Sequence, residues 1–439
     1  MVRSSAHRPP PHDRPPPGAG GSRSFGIFWA GQTLSVVGDA FALIALPLLV
    51  LQATGSVARM GLLTAAAGGA SLVAGVFAGV VVDRLDRRKL LVATDLARMA
   101  LYAVIPVAWA FGPRVWLLYV VLPLCEAVGM LFSVTYVTVV RALVAPDLIT
   151  RANGRLGATA SAAGVAGPVC AGLVVSRFGA ATAVGVDAAS FAVSAACMAL
   201  VRFHGDTRAL SAARAGAPAT GDAARAGRDT ALRRLGRDLR AGVTFLRGHP
   251  VLRSLTVLLT FFVFLTLGLN DLIIYHLEHD LGESDRTVGV VFAVAALGSI
   301  TGALMVAPVR RRFGFGPTWI GAVAVSGLAV AGIGWASDVP GVALPAAAFL
   351  GCTGVAGTCS MSLRQEVTPE HLLGRVTSAF WTLHYCAAPA GAALLTWTAQ
   401  RVGTAPVTLT AGVCCLLIAA AAAATPVHRP RPERLADAV

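Results

Sequence analysis

The sequence predicts an all-α membrane protein: twelve transmembrane helices in two pseudo-symmetric six-helix bundles. Three observations predict it. The composition is too apolar for water, twelve apolar runs have bilayer-spanning length, and the last six runs repeat the first six. Of the 439 residues, 56% are hydrophobic and 13% charged, where a soluble domain carries about 25% charged residues. The mean hydropathy is +0.70. A chain with so little polar surface needs lipid as its solvent.

A spanning helix takes about 20 mostly apolar residues. The first six runs are Phe25–Leu51, Met60–Val82, Leu90–Phe111, Trp116–Val140, Leu156–Val175 and Ala181–Val201. The second six are Val251–Ile274, Val288–Val309, Pro317–Ala336, Val339–Ser362, Val376–Ala399 and Ala405–Ala424. A membrane β-barrel would show alternating segments of about ten residues instead. Pro47, Pro106, Pro123, Pro168 and Pro389 mark bends inside the spans.

Orientation follows from arginine and lysine in the short loops. One set of connections carries Arg84, Arg87, Arg88 and Lys89, then Arg151 and Arg155, then Arg310, Arg311 and Arg312. The other set carries single arginines or a mixed acidic loop, 276–286. The first set is expected in the cytoplasm, and an even number of spans places both termini there. The net charge of +14, 36 basic against 22 acidic residues, is therefore read as membrane orientation and not as a nucleic-acid footprint.

The expected organisation is a disordered tail (1–22), an N-terminal bundle (23–203), a linker (204–248), a C-terminal bundle (249–426) and a second tail (427–439). Within the linker, Leu232, Leu235, Leu239, Val243 and Leu246 have helical spacing with arginines on the other face. Such a helix lies on the inner membrane surface or in solvent. The eight cysteines all fall in apolar runs without CxxC spacing, so they read as small hydrophobes. No metal-ligand set, nucleotide-binding loop or catalytic constellation is visible. No cofactor is expected, and the chain is not read as an enzyme.

The halves match at an offset of about 223 residues. Arg141, Pro146 and Asp147 align with Arg364, Pro369 and Glu370, and Gly79 aligns with Gly302. Gly179 and Pro168 match Gly403 and Pro389 within two residues. A duplicated six-span unit is a signature of secondary transporters, whose substrate site lies between the halves.

The loop after the second run reads Gly79-Val-Val-Val-Asp83-Arg84-Leu-Asp86-Arg87-Arg88-Lys89. It resembles the signature loop of the major facilitator superfamily, G-x-x-x-D-R-x-G-R-R/K, with Asp86 at the second glycine. Span five carries Gly164-Val-Ala-Gly167-Pro168-Val-Cys-Ala-Gly172, similar to a loosened form of that family's antiporter motif. FWAGQTLSVVGDAFALIALPLLV, DAASF at 187–191 and LRQEVTPEHLLGRVTSAF at 363–380 resemble the branch holding enterobactin-exporter-like and macrolide-efflux-like proteins. The resemblance implies a bacterial-type plasma-membrane transporter working by alternating access. It implies a loop at Gly79, Asp83, Arg84, Arg87 and Arg88 that latches the bundles on the cytoplasmic side. It also implies proton-driven export of an amphipathic drug, natural product or siderophore. Uptake symport, lipid movement and membrane sensing are the other readings of such a chain. Partners are then the cargo, protons and membrane lipids, with a monomeric chain.

Four ionisable residues are candidates for proton coupling or cargo contact: Asp39 in span one, Glu126 in span four, Asp271 in span seven and His384 in span eleven. An ionisable group at membrane depth costs about 2.5–3.5 kcal/mol on insertion scales, so it faces the bundle interior and has work to do. A static interior hydrogen bond is the other role for each, and a solvated outer position for Asp271. Asp95 and Arg98, one turn apart in span three, read as an intrahelical or loop-directed ion pair. Asp187 reads as structural.

Overall fold

The computed structural model of the chain describes residues 19–144, 149–201 and 229–431. Within those segments the side chains of Asp83, Arg84 and Arg141 are outside the described residues. So are the N-terminal tail up to residue 18, most of the linker, Pro146, Asp147 and the last eight residues.

Each apolar run of the first half becomes one helix: α1 (Ala19–Thr54), α2 (Val57–Arg84), α3 (Arg87–Trp109), α4 (Val115–Leu143), α5 (Ile149–Phe178) and α6 (Ala180–Leu200). Side chains stop and start them. Ser56 accepts from the Arg59 amide to cap α2, and Asp86 accepts from the Lys89 amide at 3.0 Å to cap α3, each satisfying a donor that a helix start leaves unpaired. The Asp86 that departs from the family's glycine is thus the cap of the third span.

A helix over the linker's second half, α7 (Asp229–Gly248), leads to the second set. The C-terminal part of its apolar side packs on the protein. Leu246 is buried, and Gly242 lies against the backbone of Arg375 and the side chain of Ala379, which belong to the eleventh span.

Span seven is two pieces, α8 (Pro250–Thr266) and α9 (Leu269–Tyr275), broken at Leu267 and Gly268 and extended by a π-turn, His276–Asp280. Five helices follow: α10 (Asp285–Phe313), α11 (Phe315–Ile333), α12 (Val339–Val367), α13 (Glu370–Val402) and α14 (Thr404–Ala423). Eleven spans are long and apolar enough to cross a membrane. The twelfth is α13, whose 33 residues include His384, Tyr385 and several threonines.

The repeat is visible in three dimensions. α5 passes to α6 through Gly179 at φ +84°, and α13 passes to α14 through Gly403 at φ +89°. A side chain at that φ is strained, so glycine makes both one-residue corners. Small residues also set helix spacing, as expected where lipid removes the hydrophobic drive between helices. α10 crosses α12 with Gly298 against the Ala347 backbone and Gly302 against Gly351.

The halves meet mainly through two helix pairs, α2 with α13 and α5 with α10, and α9 also touches α1 and α2. Three hydrogen bonds between halves are present among the described residues. The Gln52 amide donates to Asp285 (3.3 Å), the Ala58 amide to Gln400 (3.5 Å) and the Thr64 hydroxyl to Asp271 (2.8 Å). All lie in the half of the molecule away from the signature loop. Near the signature-loop end, Arg88 donates to the Ala199 carbonyl, and Arg310 reaches both oxygens of Glu366 at 2.6 and 2.8 Å.

Gly298→Val should destabilise the second half by about 1–3 kcal/mol, the usual cost of overpacking. Gly357→Ala, where nothing lies within 4 Å, should leave stability unchanged or slightly higher. Thermal unfolding of the two purified variants in detergent checks the contrast.

Candidate functional site: a charge cluster at mid-span

Asp39 lies near the middle of α1, and close helix packing fixes where it points. Gly38 sits against Asp187 and Ser190 of α6, so no Cβ fits between the two helices. On another side, Gly167 of α5 sits against Ala40. The first of these approaches brings Asp39 into a set of groups from four helices.

At its centre is Arg98, midway along α3. Its Nη2 donates to Asp39 Oδ1 at 2.9 Å. Its guanidinium stacks on the Phe191 ring, 3.8 Å from the centroid, a cation–π contact that grows in value where water is excluded. Gly129 of α4 leaves room for the arginine, which passes 3.7 Å from the position a Cβ would take. Arg98 is 14% exposed and Asp39 44%, so the pair has a dry side and an open side.

Three more carboxyl groups surround the arginine. Asp95 is buried and accepts from Ser194 Oγ at 2.6 Å, and its Oδ1 has no partner. Asp187 is buried and accepts from Ser190 Oγ at 3.2 Å, with Oδ2 unpartnered. Glu126, half-buried on α4, is within Coulombic reach of Arg98 and Asp39. Arg98 is the single cation facing these four groups among the described residues.

The structure therefore brings together Asp39 and Glu126, two of the four candidates. It adds Asp95, Arg98 and Asp187. Arg98 does not pair with Asp95 one turn away: its hydrogen bond goes across to Asp39. Asp187 does more than fill space, since it contributes a carboxyl to the cluster. Both it and Phe191 belong to the DAASF phrase.

The other two candidates lie elsewhere. Asp271 is buried at 3% exposure, not solvated. It follows the break in span seven and accepts from Thr64 across the interface between halves. His384 is buried in the second half. Its Nδ1 is 3.0 Å from the Phe380 carbonyl, and its Nε2 has no partner. Its ring lies tilted against Phe380 with centroids 4.1 Å apart, and the Arg364 guanidinium lies over the same Phe380 ring at 3.6 Å. Arg364 has no carboxylate partner among the described residues; its polar contact is to Met361 Sδ. No local sequence pattern marks the aromatic enclosure of Arg364.

The motif residues are spread along the fold. Gly79, Asp83 and Arg84 are in the last turns of α2, and Arg87 and Arg88 in the first turn of α3. In span five, Gly164 faces open space. Pro168 and Gly172 face Gly289 of α10 so closely that no Cβ fits there. That segment is where the two halves touch.

The sequence profile of the Major Facilitator Superfamily matches residues 28–392, and a second match covers 267–438. The chain belongs to the Major Facilitator Superfamily. It is a multi-pass membrane transporter. Among its relatives is "Multidrug efflux pump Tap" of Mycolicibacterium fortuitum, 26% identical over 385 residues, covering 86% of this chain and 89% of the relative. "Macrolide efflux protein A" of Streptococcus pyogenes is 26% identical over 180 residues, 40% of this chain and 44% of the relative. Solved major facilitator structures share the fold. The nucleoside transporter NupG has a TM-score of 0.71 at 13% identity, covering 91% of this chain and 99% of that one. A bacterial homologue of ferroportin in an inward-facing state has a TM-score of 0.66 at 15% identity, covering 91% and 98%.

Arg98→Met should destabilise the protein by about 3–5 kcal/mol, because buried carboxylates lose their only counter-charge. Adding Asp39→Leu should recover part of that loss. Unfolding of both singles and the double variant measures the coupling; additive losses would mean that the pair contributes nothing.

Proposed function

We propose that the chain is a proton-driven exporter of amphipathic small molecules, working by alternating access, with the Asp39–Arg98 cluster as its coupling element. The efflux activity named for both curated relatives supports the direction and the cargo class. The arginine-rich loops support a cytoplasmic signature-loop end. On that orientation the hydrogen bonds Gln52–Asp285, Ala58–Gln400 and Thr64–Asp271 join the halves on the outer side.

The observation that carries the coupling role is Asp39 itself. It is a carboxylate at mid-depth, paired on one side and 44% exposed on the other. Four carboxyl groups around one guanidinium cannot all be ionised at low dielectric, since each uncompensated charge costs several kcal/mol. The cluster holds protons, and those protons titrate as a property of the set. A proton arriving at Asp39 removes its attraction for Arg98 and leaves the guanidinium to Asp95, Asp187 and Glu126. That exchange gives the first half two arrangements of similar energy, which alternating access requires. The cargo meets the open side of Asp39 and Glu126, so proton and cargo compete there. Competition of this kind couples proton entry to cargo exit.

The open face suits a greasy molecule bearing a cationic or donor group. Trp381 and Tyr385, both part-exposed and stacked at 5.5 Å on α13, offer an aromatic wall from the other half.

In everted vesicles with an acidic lumen, the wild-type chain should accumulate a fluorescent amphipathic cation, and a protonophore should collapse the signal. Asp39→Asn should reduce proton-coupled flux at least tenfold while the protein still inserts, and Glu126→Gln should weaken it. Wild-type flux in both variants would remove the cluster from coupling. Accumulation unaffected by the protonophore would remove the proton as driving ion.

A further inference from the structure

A groove of about 310 Å3 lies where α7, α8 and α13 meet, outside the charge cluster. Its floor is apolar. Val257 and Phe261 of α8 and Leu383 of α13 line it, and all three are exposed. At one end stand Arg247, in the last turn of α7, and Arg253, in the first turn of α8. Both arginines are exposed, and among the described residues neither has an acidic partner.

The order along the helix is specific. Arg253, Val257 and Phe261 are four residues apart, so they share one face of α8. From the first to the last is about 12 Å at 1.5 Å per residue. Charge comes first, at the end of a membrane-spanning helix where headgroups lie, and apolar surface follows toward the bilayer centre. The corner between α7 and α8 is held in place: the Leu252 amide donates to His249 Nδ1 at 3.3 Å, and His249 stacks on Phe245. On α13, Leu383 is two residues from both Trp381 and Tyr385, which is about 200° around the helix. The groove therefore opens on the side of α13 turned away from the aromatic wall.

We propose that this groove holds an anionic glycerophospholipid of the host bilayer. Its phosphate sits between Arg247 and Arg253, and one acyl chain runs along Val257, Phe261 and Leu383. Two guanidinium groups with no counter-charge call for an oxyanion, and their planar forks match phosphate. The apolar column below them has the length and polarity of the upper part of an acyl chain. A bound lipid would fasten the corner that joins the linker helix to span seven.

The test uses the purified full-length chain in detergent, titrated with phosphatidylglycerol or phosphatidylcholine of matched chains, with bound lipid counted by native mass spectrometry. Phosphatidylglycerol should bind at least about tenfold more tightly, from roughly fivefold per arginine near a phosphate. Arg247→Gln with Arg253→Gln should abolish that preference. Arg311→Gln with Arg312→Gln removes the same charge at the same end, outside the groove, and should keep it. Val257→Trp should fill the chain channel and weaken both lipids at unchanged thermal stability. Equal affinity for the two lipids in the wild type would overturn the proposal. So would equal loss in the two arginine double variants, or displacement of the bound phosphatidylglycerol by a neutral amphipathic dye, which would assign the groove to cargo. None of these outcomes depends on the proton-coupling role of Asp39.

Discussion

A guanidinium at mid-membrane cannot rely on water, and Arg98 is the one cation placed there in the first half of this transporter. It is held by a carboxylate from α1 at 2.9 Å and an aromatic ring from α6 at 3.8 Å. Much of the local packing follows from that requirement. Gly38 gives up a Cβ so that α1 reaches α6, and Gly129 leaves space beside the arginine. The result is four helices tied at one depth by a set of charges. A set of this kind is over-determined in geometry; in the proposed function it stays open in protonation.

Symmetry of the fold does not extend to this chemistry. At the repeat offset, the positions of Asp39, Asp95, Arg98, Glu126 and Asp187 fall on Phe262, Thr318, Gly321, Phe349 and Thr410, none of them ionisable. The second half instead encloses Arg364 among Phe380, Trp381 and His384, with two guanidinium nitrogens unpartnered. One half therefore carries charge balance and the other carries aromatic surface. Where α5 meets α10, glycine and proline face Gly289, so that crossing is backbone on backbone. A contact without interlocking side chains can part and re-form at little cost in repacking.

Most of the fold was legible in the sequence because lipid imposes a simple rule of length and apolarity. The twelve spans follow from it, and the repeat follows from matched residues such as Gly179 and Gly403. The break at Leu267 and Gly268 was not legible, since apolar residues continue on both sides and mask a gap in the helix. α13 was recognised as a span although its His384 and threonines lower its hydropathy below that of the others. In the site, Asp39 and Glu126 stood out as lone acids in apolar runs. Their partner did not, because Asp95 one turn from Arg98 offered a local pair that satisfies the same spacing rule. The choice of Asp39 over Asp95 is made by helix packing between α1, α3 and α6, and no local pattern encodes it. Asp187 was passed over for the same reason: its role comes from what faces it.

In the proposed function the mid-span carboxyls hold protons at neutral pH and exchange them with cargo. Infrared difference spectroscopy on the lipid-reconstituted transporter reads this directly through the stretch of protonated carboxyl groups. The account predicts such a band at neutral pH, altered by Asp39→Asn and diminished when a transported amphipathic cation is added. A wild-type spectrum with every mid-span carboxyl ionised at neutral pH, unchanged by that cation, would contradict it.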